Sequence, residues 1–331
     1  MRKQSSTLHA ALLTLMTLAV AFAARAETWP ARPVTVVMPY KPGGGGETMV
    51  RLVMQQVSQR MGQPFIIENR AGAGGTIGAG YVAKERSDGY TLFASGLGSS
   101  VVGPLFVRVA FDAMKDFTHI ALFGGPPPVL AVNAAFEAKT LQQYIDISRS
   151  RPQGIAFGSS GFGTHVHLMA DLFKSLTGAN LLHVPYNGGG PAVADLVAGH
   201  VPSAFVTLGS VSQQVRNGNV RLLAVASPKR VRDFPGVPTF AELGYPDMTS
   251  VTWFGLSGPA GLPRDIVVKL NAEVRAAMAN PEVLDKLAAD AIEPNNLDPD
   301  GFTQFFRAEI ARWTPIARRV NESRQPPAKA N

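Results

Sequence analysis

Four glycine-rich segments, each placed directly after an apolar, β-rich run, constrain the fold of this chain more than any other feature. They are Pro42–Gly46, Gly96–Ser100, Ser159–Thr164 and Asn187–Pro191. Helical patterning follows most of the β-rich runs, and strands that alternate with helices indicate parallel α/β sheets. In such sheets these loops lie at the carboxyl ends of the strands, where ligands bind. A fifth cluster, Ala71–Gly75, lies between the second strand and the next helix.

The chemistry that such loops favour is anion binding. Glycine lets the backbone approach a ligand closely and present bare N–H donors, and the helix that follows adds partial positive charge at its start. Together these features bind an anion without a cationic side chain. One such loop alone is more often a plain connector, but four in this arrangement favour a ligand site.

The distribution of the elements predicts two α/β units. A chain of 331 residues exceeds the size at which one hydrophobic core usually stops growing. Two of the loops fall in the first third and two in the middle third, which predicts two half-sites facing each other across a cleft. Nine runs are predicted as strands: Val34–Tyr40, Pro64–Glu68, Thr91–Gly96, Val129–Asn133, Ile155–Ser159, Leu181–Tyr186, Ser203–Leu208, Arg221–Ser227 and Trp253–Pro259.

Residues 1–26 have the three-part layout of a secretory signal peptide. Arg2 and Lys3 precede an apolar run from Ala10 to Ala24, and Ala24-Arg25-Ala26 forms a small-x-small exit site. We expect export, with cleavage after Ala26; a non-cleaved anchor is the alternative. No Cys follows the apolar run, which excludes a lipid-anchored lipoprotein.

Composition excludes several classes of chemistry. The chain has no Cys, which removes thiol nucleophiles, thiolate zinc sites and iron–sulfur clusters. Lys and Arg are scattered rather than striped, so we expect no nucleic-acid partner. His165, His167 and Asp171 offer a possible metal-ligand set, but imidazoles two positions apart on a helix point about 200° apart. We therefore expect neither a metal nor a cofactor.

Two segments resemble motifs of enzyme classes. Gly78–Ala83 matches the dinucleotide pattern G-x-G-x-x-A but does not follow a strand directly. Gly158–Phe162 is the nearest stretch to a G-x-S-x-G elbow and fails at its last position. A secreted serine hydrolase with Ser160 as nucleophile and His165 or His167 as base remains an alternative. The favoured interpretation is that Ser160 and Thr164 cap a helix and bind an anion.

Six motifs occur in an order that resembles the Bug family of periplasmic solute receptors, the substrate-binding proteins of tripartite tricarboxylate transporters. The likeness extends from Trp29 to the helix containing Trp313. The motifs are Pro39–Gly44, Glu68–Gly75, Asp88–Leu92, Gly158–Gly161, His183–Tyr186 and Pro238–Thr239.

The resemblance implies a two-lobed periplasmic-binding-protein type II fold, with each lobe a mainly parallel sheet flanked by helices. Two segments would cross between the lobes, near residues 124–128 and between residues 227 and 253. Lobe 1 would comprise residues 27–125 and 236–331, and lobe 2 residues 126–235. It further implies a periplasmic, non-catalytic receptor that closes on its ligand.

The resemblance also implies which residues bind the ligand. The loop after the first strand would hold a carboxylate, partly through ordered waters, and the second lobe would close over the other end. Two positions depart from the family pattern, with Glu47 where Asp is common and Lys41 where a small residue is common; Lys41 either pairs with the ligand or points outward. The predicted ligand-binding residues are Tyr40, Gly43, Gly44, Gly45, Glu47, Ser95, Gly96, Ser159, Ser160, Gly163, Thr164, Tyr186 and Asn187.

Tyr40 and Tyr186 also have a structural interpretation, as aromatic core residues at strand ends. The ligand is expected to be a small mono-, di- or tricarboxylate, and the protein a monomer that serves membrane transporter subunits. A ligand sensor that feeds a signalling system is the other function that the family allows.

Overall fold

The computed structural model describes residues 29–324, with side chains described up to residue 320. These residues form two five-stranded sheets with helices on their faces. The strands are β1 Val34–Met38, β2 Phe65–Asn69, β3 Thr91–Gly96, β4 Phe117–Gly124, β5 Pro128–Asn133, β6 Ile155–Ser159, β7 Leu181–Pro185, β8 Ser203–Thr207, β9 Val220–Val225 and β10 Phe254–Pro259. The helices are α1 Gly45–Met61, α2 Thr76–Val82, α3 Gly103–Phe106, α4 Leu141–Ser150, α5 His165–Thr177, α6 Gly189–Ala198, α7 Leu208–Arg216, α8 Arg264–Met278, α9 Pro281–Ala289 and α10 Pro299–Arg324.

The two sheets have the same topology. The first has the order β2-β1-β3-β10-β4 and the second the order β7-β6-β8-β5-β9. In each sheet the first three strands are parallel, and the fourth strand, β10 or β5, runs antiparallel to both neighbours. The predicted α/β fold with two mainly parallel sheets is confirmed. Each sheet also contains one antiparallel strand, which the sequence did not indicate.

Apolar residues bury both faces of each sheet. On one face of the first sheet, α1, α8 and α9 pack on β1, β3 and β10, for example through Val53 and Leu270. A smaller cluster with α2 covers the other face. In the second sheet, α4 and α5 cover one face and α6 and α7 the other, while α10 packs on β4 of the first sheet and against α5. Each sheet thus holds its strand ends rigidly, because its helices leave neither face open.

Two segments connect the sheets. Residues 125–127 join β4 to β5, and residues 226–253 join β9 to β10. The segments contact each other, since the amide of Thr252 donates to the carbonyl of Pro126 over 3.0 Å. The predicted lobe boundaries stay predictions. Hydrogen bonds from Phe240 to Val225 and from Ser250 to Ala226 keep the segment after residue 235 against the second sheet, which favours a later boundary.

All nine predicted strands overlap an observed strand, and the prediction missed β4. That strand carries His119 in its middle, a residue that interrupts the apolar pattern but is buried against Phe306 with its ring stacked at 4.1 Å. The predicted signal peptide, residues 1–26, lies outside the described residues. Among the helices of residues 29–324, none has the length and apolar character that crossing a membrane requires.

Candidate ligand-binding cleft

A cavity of about 40 Å³, here called the inner chamber, lies between the two sheets. Four of the predicted glycine-rich loops reach it, two from each sheet, which is the arrangement that the sequence predicted. Its lining residues are Met38, Tyr40, Gly44, Gly45, Gly46, Glu47, Gly98, Ser160, Thr164, His165, Val166, Gly189, Thr207, Ser210, Thr252 and Phe254.

The starts of four helices converge on the inner chamber. Helices α1, α5, α6 and α7 each contribute a residue of their first turn or their N-cap to its wall. The start of a helix carries partial positive charge and N–H groups that have no partner within the helix. Among the lining residues of the described chain none is Lys or Arg. The partial positive charges that face this chamber therefore belong to the backbone.

The backbone N–H groups that lack an acceptor at the N-terminus of α1 are only partly the predicted ones. The amide of Gly43 donates to Glu47 Oε2 over 3.4 Å, and the amide of Gly45 donates to Ser210 Oγ over 3.0 Å. The amides of Gly44, Gly46 and Glu47 have no acceptor within residues 29–324. Of the three predicted donors Gly43, Gly44 and Gly45, only Gly44 has an amide without an acceptor in the described chain. The first turn of α1 adds two further amides without an acceptor there, those of Gly46 and Glu47.

Glu47 is a buried carboxylate at the wall of the chamber, and Arg51 one turn later forms an ion pair with it. Arg51 also donates to Asn69 Oδ1 over 3.1 Å, and Asn69 Nδ2 donates to the carbonyl of Tyr40 over 2.7 Å. This chain of contacts connects α1, β2 and the loop after β1. Glu47 therefore orders the loop backbone while Arg51 balances its charge.

Tyr40 separates the inner chamber from a second cavity. Its hydroxyl donates to the carbonyl of Gly74 over 3.3 Å, and its ring packs edge-on against Phe254 at 6.2 Å. Burial raises the pKa of the Tyr40 hydroxyl, which stays protonated at any physiological pH. The predicted place of Tyr40 beside the cleft agrees with this geometry; its role toward a ligand stays a prediction.

The second cavity, here called the outer chamber, has a volume of about 220 Å³ and shares Tyr40 and Ser160 with the inner one. The fifth glycine cluster forms one side of it. Its lining residues are Tyr40, Gly72, Ala73, Gly74, Gly75, Ser160, Gly161, Phe162, Pro185, Tyr186 and Asn187.

Four predicted residues of the second sheet reach these chambers. Ser160 lines both, and its hydroxyl has no partner among the described residues. Thr164 caps α5 by accepting from the amide of His167 over 3.4 Å. The Tyr186 hydroxyl donates to Asp195 over 2.7 Å; burial and this carboxylate raise the pKa of Tyr186 to about 12. Asn187 accepts at its carbonyl from the amide of Lys41.

Other predicted residues lie outside both chambers. The Ser95 hydroxyl is buried within the first sheet and bonds Ser257 Oγ at 2.8 Å, and Gly96 packs against Phe254. The Ser159 hydroxyl bonds His183 Nε2 at 2.6 Å, and the Gly163 amide donates to His167 Nδ1. Side chains alternate between the faces of a strand, so the strand-end serines Ser95 and Ser159 turn into the sheet interiors.

The Lys41 side chain is exposed and does not line either chamber, so of the two alternatives the structure favours the outward one. Its backbone amide, by contrast, takes part in the contact between the two sheets through Asn187.

The geometry around Ser160 does not support a hydrolase. His165 bonds Thr252 Oγ1 through Nδ1 at 2.8 Å and Ser250 Oγ through Nε2 at 3.0 Å, which occupies both ring nitrogens. Burial lowers the pKa of His165 to about 3. His167 uses its two nitrogens toward Gly163 and Asp171. Neither histidine is placed to accept a proton from Ser160, as a nucleophile–base pair requires.

Several lining residues were not predicted. Ser210 and Thr207 lie at the start of α7, where Gly209 is the only glycine and the sequence shows no cluster. Thr252 and Phe254 come from the second connecting segment and β10, which join the site only through long-range sheet pairing. The one local signal that could have found Ser210 is the sequence Thr207-Leu208-Gly209-Ser210, in which a strand ends at Thr and a helix begins at once with a small residue in its first turn.

The family model described as "Tripartite tricarboxylate transporter family receptor" matches residues 49–322. The chain belongs to this family. The resemblance inferred from its motifs is thereby confirmed, and the protein is a solute-binding receptor of the tripartite tricarboxylate transporter type.

Individual relatives agree with this assignment. Protein BugT of Bordetella pertussis is 36% identical over 306 residues, which cover 92% of this chain and 94% of BugT. The R. palustris protein Rpa4515, solved with adipate, is 34% identical with a TM-score of 0.85, covering 88% of this chain and 98% of that one. MatC of Rhodopseudomonas palustris, solved with malate, is 33% identical with a TM-score of 0.83, covering 87% of this chain and all 100% of MatC.

Proposed function

We propose that this receptor captures a small organic carboxylate between its two sheets and delivers it to the membrane subunits of a transporter. The observation that carries the proposal is the convergence of four helix starts on a chamber without a Lys or Arg side chain. Backbone N–H groups at helix starts bind carboxylates, and a low local dielectric strengthens these hydrogen bonds once water is excluded. The adipate and malate found in two related structures support a carboxylate ligand.

The contacts between the sheets favour closure as the binding step. The backbones of Gly43 and Gly190 approach each other so closely that a Cβ on Gly43 would lie 3.3 Å from Gly190 Cα. Similar approaches bring Gly44 toward Gly189 and Gly45 toward Gly209. A ligand enclosed by this contact would be released only when the lobes separate, so lobe motion would set its exchange rate. The ligand roles of the predicted site residues remain part of this proposal.

The remaining parts of the proposal concern export, partners and the absence of catalysis. Residues 1–26 would direct export to the periplasm and be cleaved after Ala26, and the receptor would act as a monomer. Membership of a receptor family and the occupied nitrogens of His165 and His167 both argue against turnover.

A thermal-shift screen of the exported protein against organic acids, sugars and amines tests the function. We expect carboxylates to raise the melting temperature and neutral sugars and amines to leave it unchanged, because tight binding to the native state stabilises it. Ester hydrolysis that is present in the wild type and lost in Ser160→Ala would instead establish the hydrolase.

A further inference from the structure

The two chambers differ sharply in what they offer a ligand. The inner chamber presents helix starts and the bare amides of Gly46 and Glu47. The outer chamber presents the side chains of Tyr40, Phe162, Pro185 and Tyr186 beside a short glycine turn. One end of the cleft is therefore suited to a carboxylate and the other to a different kind of group.

The side-chain donors of the outer chamber are mostly engaged. The Tyr40 hydroxyl donates to the carbonyl of Gly74, and the Tyr186 hydroxyl donates to Asp195. Only Ser160 and Asn187 carry side-chain donors without a partner in the described chain. A carboxylate accepts several charge-assisted hydrogen bonds when it is well bound. Two neutral side-chain donors at this wall give it less compensation for lost hydration than the helix starts of the inner chamber give.

Electrostatics also disfavours a second negative charge there. Among the described residues that line the outer chamber, none is Lys, Arg or His. One ionised group in contact with its wall is the Asp195 carboxylate, which accepts a hydrogen bond from the hydroxyl of Tyr186 at 2.7 Å. A like charge placed next to this carboxylate would be repelled.

The walls of the outer chamber are suited to apolar surface. Phe162 is 41% exposed, one of the large apolar side chains of the described residues left open to solvent, and it lies on the loop between β6 and α5. Its ring is held edge-on by Phe106 at 5.7 Å, so its orientation is fixed before any ligand arrives. Covering such a ring with an apolar group is favourable, because the apolar area leaves water.

We infer that the ligand of this cleft is a monocarboxylate with an uncharged, apolar body: the carboxylate lies in the inner chamber and the body lies in the outer chamber between Tyr40, Phe162 and Tyr186. This inference rests on the proposed function and narrows its substrate class. It separates this receptor from the two related proteins solved with dicarboxylates.

Pairs of acids that differ only in the second carboxylate test the inference. We would titrate the exported protein calorimetrically with hexanoate and adipate, and with benzoate and terephthalate. We expect the monocarboxylate of at least one pair to bind about tenfold or more tightly than its dicarboxylate partner, which corresponds to roughly 1.4 kcal/mol. Tighter binding of the dicarboxylates adipate and terephthalate would overturn this inference, but it would still support the proposed function of a carboxylate receptor. Absence of binding by all four acids and by citrate, succinate and malate would overturn both.

A pair of variants with matched exposure locates the apolar contact. Phe162 and Leu176 are each 41% exposed, but only Phe162 lines the outer chamber. Phe162→Ala should weaken the preferred monocarboxylate by about fivefold or more and leave the corresponding dicarboxylate nearly unchanged, because only the former covers the ring. Leu176→Ala should change neither affinity. Equal weakening of mono- and dicarboxylate in Phe162→Ala would contradict the assigned position of the apolar body.

Discussion

The amide of Gly45 donates a hydrogen bond of 3.0 Å to the hydroxyl of Ser210, and the two residues belong to helices that start from different sheets. The first turn of α1 is thereby joined to the first turn of α7 across the cleft. Thr207 Oγ1 holds the same hydroxyl at 2.8 Å, so its position is fixed from its own side. The closed arrangement of the lobes thus depends on a specific polar contact as well as on shape.

Ser210→Ala should shift the ligand-free receptor toward an open form. A net hydrogen bond contributes about 0.5–1.5 kcal/mol, so the ratio of closed to open receptor should fall by roughly two- to tenfold. Small-angle X-ray scattering would report this as a larger radius of gyration. Ser175→Ala is the control, since Ser175 bonds only the carbonyl of Leu172 within its own helix. An unchanged radius in Ser210→Ala would show that the contact does not stabilise closure.

Two neighbouring glycines should respond differently to the same substitution. A Cβ on Gly45 would lie 2.7 Å from Gly209 Cα, whereas a Cβ on Gly44 would find its nearest atom, Gly189 N, at 3.9 Å. Gly45→Ala should therefore obstruct closure and reduce carboxylate affinity by about tenfold or more, and Gly44→Ala should stay within about threefold. Calorimetric titration with the best acid of the screen measures both. Equal affinities in the two variants would mean that α1 and α7 do not approach in the bound state.

Removing Arg51 should expose the ligand to an unbalanced negative charge. Glu47 is buried at the wall of the inner chamber, and Arg51 is its ion-pair partner. Arg51→Met should weaken carboxylate binding by about tenfold, since an uncompensated buried carboxylate repels the ligand. The double variant Arg51→Met with Glu47→Gln should recover most of the loss. If the double variant binds no better than Arg51→Met, charge balance is not what Arg51 provides.

The stability of the receptor should fall as the pH is lowered through the range in which His165 titrates. Burial lowers the pKa of His165 from 6.5 to about 3, so the unfolded chain binds more protons than the folded one between these values. Each such group contributes a slope of up to about 1.4 kcal/mol per pH unit over this window. Melting curves of the ligand-free protein from pH 7.5 to pH 4 would show the decline.

The variant His165→Gln separates the contribution of His165 to the pH dependence of stability from the contributions of other titrating groups. It should be less stable than the wild type at pH 7.5, because Thr252 and Ser250 lose their imidazole partner, and this deficit should shrink as the pH falls. His200→Gln serves as the control, since the His200 side chain is 71% exposed. A deficit in His165→Gln that stays constant with pH would assign the pH dependence elsewhere.

The sequence predicted the parts of the cleft that depend on local signals. Glycine loops after strands, and the starts of the helices that follow them, can be recognised from a few neighbouring residues. The four loops predicted directly after strands all reach the inner chamber, through Gly44, Gly98, Ser160 and Gly189. The face of the sheet to which a residue near a strand end points is harder to predict from the sequence. Ser159 and Ser160 are neighbours, yet only Ser160 lines the cavity, because side chains alternate along a strand and the turn begins between them.

The remaining parts of the site depend on contacts between distant parts of the chain. The two nitrogens of His165 bond residues more than eighty positions away, and Ser210 meets Gly45 only when the sheets face each other. The antiparallel strand β10 enters the first sheet from late in the chain and brings Phe254 beside Tyr40. No local pattern contains this information, so the hydrolase alternative could be weighed only against the folded geometry.

A crystal structure of the receptor with a bound carboxylate tests the central claim most directly. The account predicts carboxylate oxygens in the inner chamber, hydrogen-bonded directly or through one water to the amides of Gly46 and Glu47, with no Lys or Arg side chain in contact. A carboxylate held by a cationic side chain outside the inner chamber would contradict it.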